Sequence, residues 1–242
     1  MCGIAGALVY GKTPADLFFH AVAECRSRGE DSFGIVRWSP SCSWKELRLF
    51  KCSVDDCVEF FRDDEPEPHY YLHTSRAEPT TEFRPDKADT DIPPFRDSNV
   101  AVAHNGIIAN DDRIATHFGI NPKSSIDTAI VPPLIQRLGF WRAIRQVQGG
   151  SAFGVVDANR GSLYLARNFL PLTVVWMPGI VAFASESGFF AGIDNPFPPY
   201  RVWEMPAFTA IEFSPRGYRN PIRWGDVPDD SAFPMWRDFP EF

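Results

Sequence analysis

A cysteine stands second in the chain, in the opening MCGIAGALVY. Removal of Met1 would leave one residue carrying both a thiol and a free α-amine. The amine has a reference pKa of about 7.7–8.0, so a useful fraction is neutral near pH 7. It can then act as general base to its own thiol, the N-terminal form of an activated nucleophile. With Met1 in place that nitrogen is an amide without basicity. Alone, a cysteine at this position is common and carries little weight.

Four other stretches could complete such a site. AHNGIIAN offers the Asn105 side-chain amide beside the Gly106 N–H, two neutral donors that could converge on an oxyanion; a plain Asn-Gly turn explains it equally well. HTSRAEPT leaves a strand and puts Arg76 and Thr80 at a loop mouth, where an arginine can grip a carboxylate with two hydrogen bonds. SRGEDSFG ends a helix and presents Arg28. SSIDTAIV starts a helix with Asp127, which suits capping and the helix dipole, or a substrate ammonium.

These stretches have to be positioned by their surroundings. IAGALVY reads as a buried strand, and TPADLFFHAVAECRSRG as a helix with Thr13 as N-cap, Pro14 next and Asp16 in a capping-box pattern. FGIVRW, ELRLFKC, PHYYLHTS and NVAVAHNG read as strands, and DDCVEFFRD as a short amphipathic helix. IDTAIVPPLIQRLGFWRAIRQV is helical in pattern, with Pro132 and Pro133 expected to kink or divide it. From Ser151 onward the character is β, with SAFGVVDA, SLYLAR, LTVVWM, IVAFAS and FTAIEF separated by turns. The polar loop over residues 76–98 is longer than a mere connection needs. Strands, helices and strands again imply an α+β layered domain with its helices outside.

Taken together, Cys2, the RGEDS turn, the HTxR loop, HNG and the DT helix start resemble the glutaminase domain of class II glutamine amidotransferases, in the N-terminal nucleophile hydrolase superfamily. ARNFLPLTVVW and FASES resemble that family's later hairpin and strand. The resemblance spans residues 2–215 and leaves 216–242 as a Pro- and aromatic-rich tail. It implies a four-layer αββα sandwich. It also implies roles: Cys2 as nucleophile on the glutamine side-chain amide, Asn105 and Gly106 as oxyanion donors, Arg76 on the α-carboxylate, Asp127 on the α-ammonium. Arg28 and Thr80 would help shape the pocket. Ser75 stands where the clamp arginine falls without a gap, and Arg76 matches with one residue inserted, so both positions stay open here.

Net charge is −7, and the basic residues are scattered. Neither feature suits a nucleic-acid surface. No run approaches 18 apolar residues and no secretion signal is evident, so a cytoplasmic, non-membrane protein is expected. The five cysteines lack a framework or ligand spacing, so neither disulfides nor a metal is expected, and the implied chemistry needs no cofactor. Expected partners are glutamine and a separate ammonia-accepting synthase subunit, with room for a homo-oligomer. The tail, with Trp224, Trp236, Phe239 and Phe242, either docks that subunit or wraps its own domain. Two alternatives keep the fold: a hydrolase of other γ-glutamyl amides, and a non-catalytic binding module.

Overall fold

Alternation along the first strand sets the layering. In β1 (Gly3–Val9) every residue is buried, so both faces must be covered. Ala5, Ala7 and Val9 pack with helix α1 (Asp16–Cys25), while Ile4 and Leu8 pack against residues of a second sheet. The structure, a computed structural model, describes residues 2–11, 15–41, 43–50, 60–61, 68–77, 88–191 and 200–224.

Sheet A comprises β1, β2 (Ser32–Ser39), β3 (Ser43–Leu49), β4 (His69–Arg76), β9 (Thr173–Met177), β10 (Ile180–Ala184) and β11 (Arg201–Glu204). Its order is β11-β9-β10-β1-β4-β2-β3, so β1 runs through the middle. Sheet B comprises β5 (Phe95–Asp97), β6 (Val100–Gly106), β7 (Ser151–Asp157), β8 (Ser162–Arg167), β12 (Thr209–Ser214), β13 (Gly217–Tyr218) and β14 (Ile222–Arg223). Its order is β13-β12-β8-β7-β6-β5, with β14 also on β12. All strand pairs are antiparallel.

Three clusters of buried side chains fix four layers. Leu17, Phe18, Ala21, Val22 and Cys25 repeat at helical spacing and turn one stripe of α1 onto sheet A, where the Phe18 ring stacks on Tyr71 at 4.9 Å. The middle cluster joins Ile4, Leu72 and Phe183 of sheet A to Ala101, Leu165 and Phe213 of sheet B. The third packs α2 (Asp111–Phe118), α3 (Val131–Leu138) and α4 (Phe140–Ile144) on the outer face of sheet B. The result is the expected αββα sandwich. Fully burying one such Phe or Leu contributes roughly 1.5–3 kcal/mol, so the layers hold by the sum.

Several local expectations change. The run divides at Pro132 and Pro133: a 3-10 turn ends at Ile130, and the prolines stand at the first positions of the α-helix that follows, where the missing N–H costs nothing. A second break, not expected, falls at Gly139 between α3 and α4. Helix α2 was not read from the sequence, because it is only eight residues long and mostly polar, with Ile114 its one buried residue; Asp111 and Asp112 at its start complement the dipole. Asp16 is the first helical residue of α1, after Ala15, and no side chain caps that end. Thr13, Pro14, most of DDCVEFFRD, and Trp236, Phe239 and Phe242 lie outside the described residues. Within the tail, β13 and β14 pair with β12, and Trp224 stacks on Phe153 with ring centroids 5.9 Å apart.

Candidate active site

The position of Cys2 follows from register. β1 pairs with β4 so that Gly3 lies opposite Ser75, and one step further Cys2 lies beside Arg76, where β4 ends. Alternation places both on the inner face, with Ile4 and Leu72, toward sheet B. Burial pushes the half-buried Cys2 thiol above its ordinary pKa. The Arg76 cation and a hydrogen bond from the Ala77 N–H pull it down, and the Asp127 carboxylate pushes it up. Three elements distant in sequence therefore meet at one sulfur.

Ser75 faces the other way. His73 Nδ1 lies 2.9 Å from the Gly34 carbonyl, which can only accept, so Nδ1 carries the proton. Its Nε2 then accepts the Ser75 hydroxyl at 2.8 Å. The ring packs on Phe33, at 4.5 Å between centroids, on the α1 side of sheet A. Burial drives the His73 pKa down to about 3. Of the two positions left open by the sequence, Arg76 is thus on the Cys2 face and Ser75 is committed elsewhere. The Arg76 carbonyl accepts the Asp31 N–H at 3.0 Å, which ties the RGEDS turn to the end of β4.

The start of β1 is held from its other side by Ser185, in the FASES stretch. Ser185 Oγ accepts the Ile4 N–H at 2.9 Å, and the Ser185 N–H donates to the Ile4 carbonyl at 2.9 Å. Behind Cys2, a Cβ on Gly3 would come within 2.7 Å of the Cys25 carbonyl oxygen. The end of α1 therefore admits only glycine there without moving. Arg28, one turn beyond α1, makes an ion pair with Glu186.

Sheet B supplies the facing groups. On β6, Ala101 and Ala103 point inward and Val100 and Val102 outward, so Asn105 points inward and His104 outward. Asn105 is buried, and its Nδ2 has no hydrogen-bond partner among the described residues. Gly106 has φ +143°, and a Cβ there would sit 2.1 Å from the Gly150 carbonyl oxygen; both facts require glycine.

Beneath them runs a buried chain of hydrogen bonds. Asp127 opens a 3-10 turn (Asp127–Ile130). Its Oδ2 accepts the Ile108 N–H at 2.7 Å, and Oδ1 accepts the Thr128 N–H at 2.6 Å and hydroxyl at 3.0 Å. Thr128 Oγ1 in turn meets His104 Nδ1 at 2.7 Å, and His104 Nε2 meets Ser151 Oγ at 3.1 Å. With the Thr128 proton on Asp127, His104 donates through Nδ1 and accepts from Ser151. Burial lowers the His104 pKa, against the pull of Asp127. Beside Ser151, Asn168 Oδ1 accepts the Ser151 N–H at 2.7 Å and Nδ2 donates to the Gly149 carbonyl at 2.7 Å.

Cys2, Arg76 and Asp127 are thus brought together, and Asn105 and Gly106 end the strand tied to Asp127 through Ile108. Arg28 is joined to Glu186, and Thr80 lies outside the described residues. Sequence reasoning missed the supporting set of Ser185, His104, Thr128, Ser151 and Asn168. Their signals were present in FASES, AHNG, IDT and ARN, but each residue acts through a partner far along the chain. Among the described residues no group of three or more His, Cys, Asp or Glu could hold a metal. No described helix is long and apolar enough to cross a membrane.

Several known proteins resemble this chain. Residues 81–191 match the family model described as glutamine amidotransferase domain. The chain is 29% identical over 228 residues to 7-cyano-7-deazaguanine synthase of Saccharolobus solfataricus, covering 87% of this chain and 48% of that protein. It therefore spans about half the length of the curated relatives it matches. Glutamine phosphoribosylpyrophosphate amidotransferase from B. subtilis superposes with TM-score 0.70 at 18% identity, over 92% of this chain and 49% of that one. A glutamine aminotransferase class-II domain protein from Silicibacter pomeroyi gives 0.57 at 14% identity, over 93% and 100%. Residues 81–191 thus resemble a glutamine amidotransferase domain, and the sandwich as a whole shares the fold of these solved glutamine amidotransferases.

Proposed function

We propose that this domain hydrolyses the side-chain amide of glutamine through Cys2 and releases ammonia to an acceptor enzyme. One observation carries the reading: the Cys2 thiol is acted on by Arg76 and Asp127 while a buried, unpartnered amide of Asn105 faces inward from the opposite sheet. Once Met1 is removed, the α-amine takes the thiol proton and the thiolate attacks the amide carbon. The oxyanion is met by Asn105 Nδ2–H and the Gly106 N–H. The amine returns its proton to the departing nitrogen, ammonia leaves, and a thioester remains. Water, deprotonated by the same amine, then breaks the C–S bond and frees glutamate.

Arg76 binds the substrate carboxylate in this reading. Asp127 holds the ammonium with the lone pairs that its backbone bonds leave open. The released ammonia is consumed by a synthase, the kind of activity named for the curated relatives, and a separate synthase subunit would receive it.

Intact mass before and after incubation with a glutamine-shaped electrophile such as diazo-oxo-norleucine tests this. Loss of Met1 and one adduct on Cys2 are expected. A retained Met1 with no adduct would remove the catalytic reading.

A further inference from the structure

The inner face of sheet A carries more polar groups at the Cys2 end than the reading above uses. Three side chains in this layer are almost wholly buried, yet each has a polar atom with no hydrogen-bond partner among the described residues. They are Asn105 Nδ2, at 1% exposure, Thr74 Oγ1, at 1%, and Ser32 Oγ, at 3%. Buried polar atoms without partners are rare in folded proteins, and each calls for an explanation, a bound group among them.

Register puts the two hydroxyls beside Arg76. On β4, Tyr70 and Leu72 face sheet B, so Thr74 and Arg76 face the same way. On β2, Val36 faces sheet B while Phe33 and Ile35 face α1, so Ser32 also points inward. Ser32 lies directly opposite Arg76 in the β2–β4 pair, and Gly34 opposite Thr74. Side chains directly opposite stand about 5 Å apart and diagonal ones about 7–8 Å apart. Ser32, Arg76 and Thr74 thus form a triangle on one face. Across β4, Cys2 lies beside Arg76 and Ile4 is paired with Thr74.

We infer that Ser32 and Thr74 are substrate-binding residues whose hydroxyls donate to the α-carboxylate held by Arg76. This rests on the proposed glutaminase reading and extends it to residues that reading leaves without a role. A carboxylate oxygen accepts several hydrogen bonds, and Arg76 supplies a cation but cannot reach every lone pair. Two short hydroxyls on rigid strands supply the remaining donors with little ordering cost. They also give the site a reason to reject γ-amides that lack the α-carboxylate, because those would leave both hydroxyls buried and unpaired.

The test compares two substrates on the full chain and on the Thr74→Val and Ser32→Ala variants. One substrate is glutamine; the other is 4-aminobutanamide, which lacks only the carboxylate. For glutamine, KM is expected to rise about 10-fold in each variant with kcat changed less than about 3-fold, since a hydrogen bond to a charged group is lost. For 4-aminobutanamide, kcat/KM should not change. Melting temperature should hold or rise, because each substitution removes a buried hydroxyl that has no hydrogen-bond partner among the described residues. A parallel loss on both substrates, or no loss on either, would overturn the inference. Calorimetric binding of L-glutamate separates the two proposals. If the wild-type chain releases no ammonia yet binds glutamate, and Thr74→Val weakens that binding, the hydrolytic reading fails and this one stands. Unchanged glutamate affinity in both variants, or no binding to the wild type, removes this one.

Discussion

Asp127 Oδ2 accepts the Ile108 N–H at 2.7 Å, so a carboxylate at the start of one helical turn holds the chain just beyond Asn105 and Gly106. The same carboxylate takes two bonds from Thr128 and bears on the Cys2 thiol. Asp127→Asn replaces one accepting oxygen with a donor, which leaves the Ile108 or the Thr128 bond unmade. Removing a partner from a buried donor costs about 1–3 kcal/mol. The melting temperature should fall by several degrees, and calorimetry would show it.

Charge at the thiol can be read separately from stability. Asp127 pushes the Cys2 thiol pKa up and Arg76 pulls it down. Asp127→Asn should therefore move the pH midpoint of Cys2 alkylation lower, and Arg76→Met should move it higher. Iodoacetamide labelling followed by peptide mass would report each midpoint. Equal midpoints in both variants would mean that neither charge reaches the sulfur.

Ser185→Ala should weaken the protein from a position that touches no substrate. It leaves the Ile4 N–H without its acceptor in a fully buried place. The expected cost is again about 1–3 kcal/mol. Urea denaturation should show a lower midpoint with the slope unchanged. Because Ile4 lies two residues from Cys2, alkylation of Cys2 should also lose some of its site selectivity.

Two buried histidines make the fold acid-sensitive. Burial holds the His73 pKa down at about 3 and lowers that of His104. In the unfolded chain both titrate near about 6.5. Above that value neither state binds the proton, and the neutral rings contribute in full. As pH falls below it, the unfolded chain takes up protons that the folded one refuses, so stability drops toward the folded pKa values. Each histidine gives a slope of up to about 1.4 kcal/mol per pH unit in that window. Denaturant midpoints at pH 7, 6 and 5 should decline progressively, and His73→Gln should flatten part of the decline.

The amino-acid sequence shows this site unevenly. Cys2, the HNG turn and the DT start stand as short contiguous stretches, so they could be singled out directly from the sequence. The layered architecture required the family resemblance, since the strands are buried on both faces and their apolar runs do not declare which side meets a helix. Helix α2 escaped notice because it is only eight residues long and mostly polar, too short for a repeat to stand out. The choice between Ser75 and Arg76 needed strand alternation in a known register. Thr74 and Ser32 look ordinary in a sequence, and they stand out only when burial and missing partners are both known.

Ile4 is bonded on one side to Ser185, and β1 lies between β10 and β4 in the interior of sheet A. Nothing in this arrangement lets the first strand peel away by itself. Amide hydrogen exchange at Ile4 and Ala5 should therefore be among the slowest in the protein and follow global unfolding. The residue that carries the thiol inherits that rigidity: Cys2 adjoins a strand clamped on both edges and is the fixed point from which the rest of the site is measured.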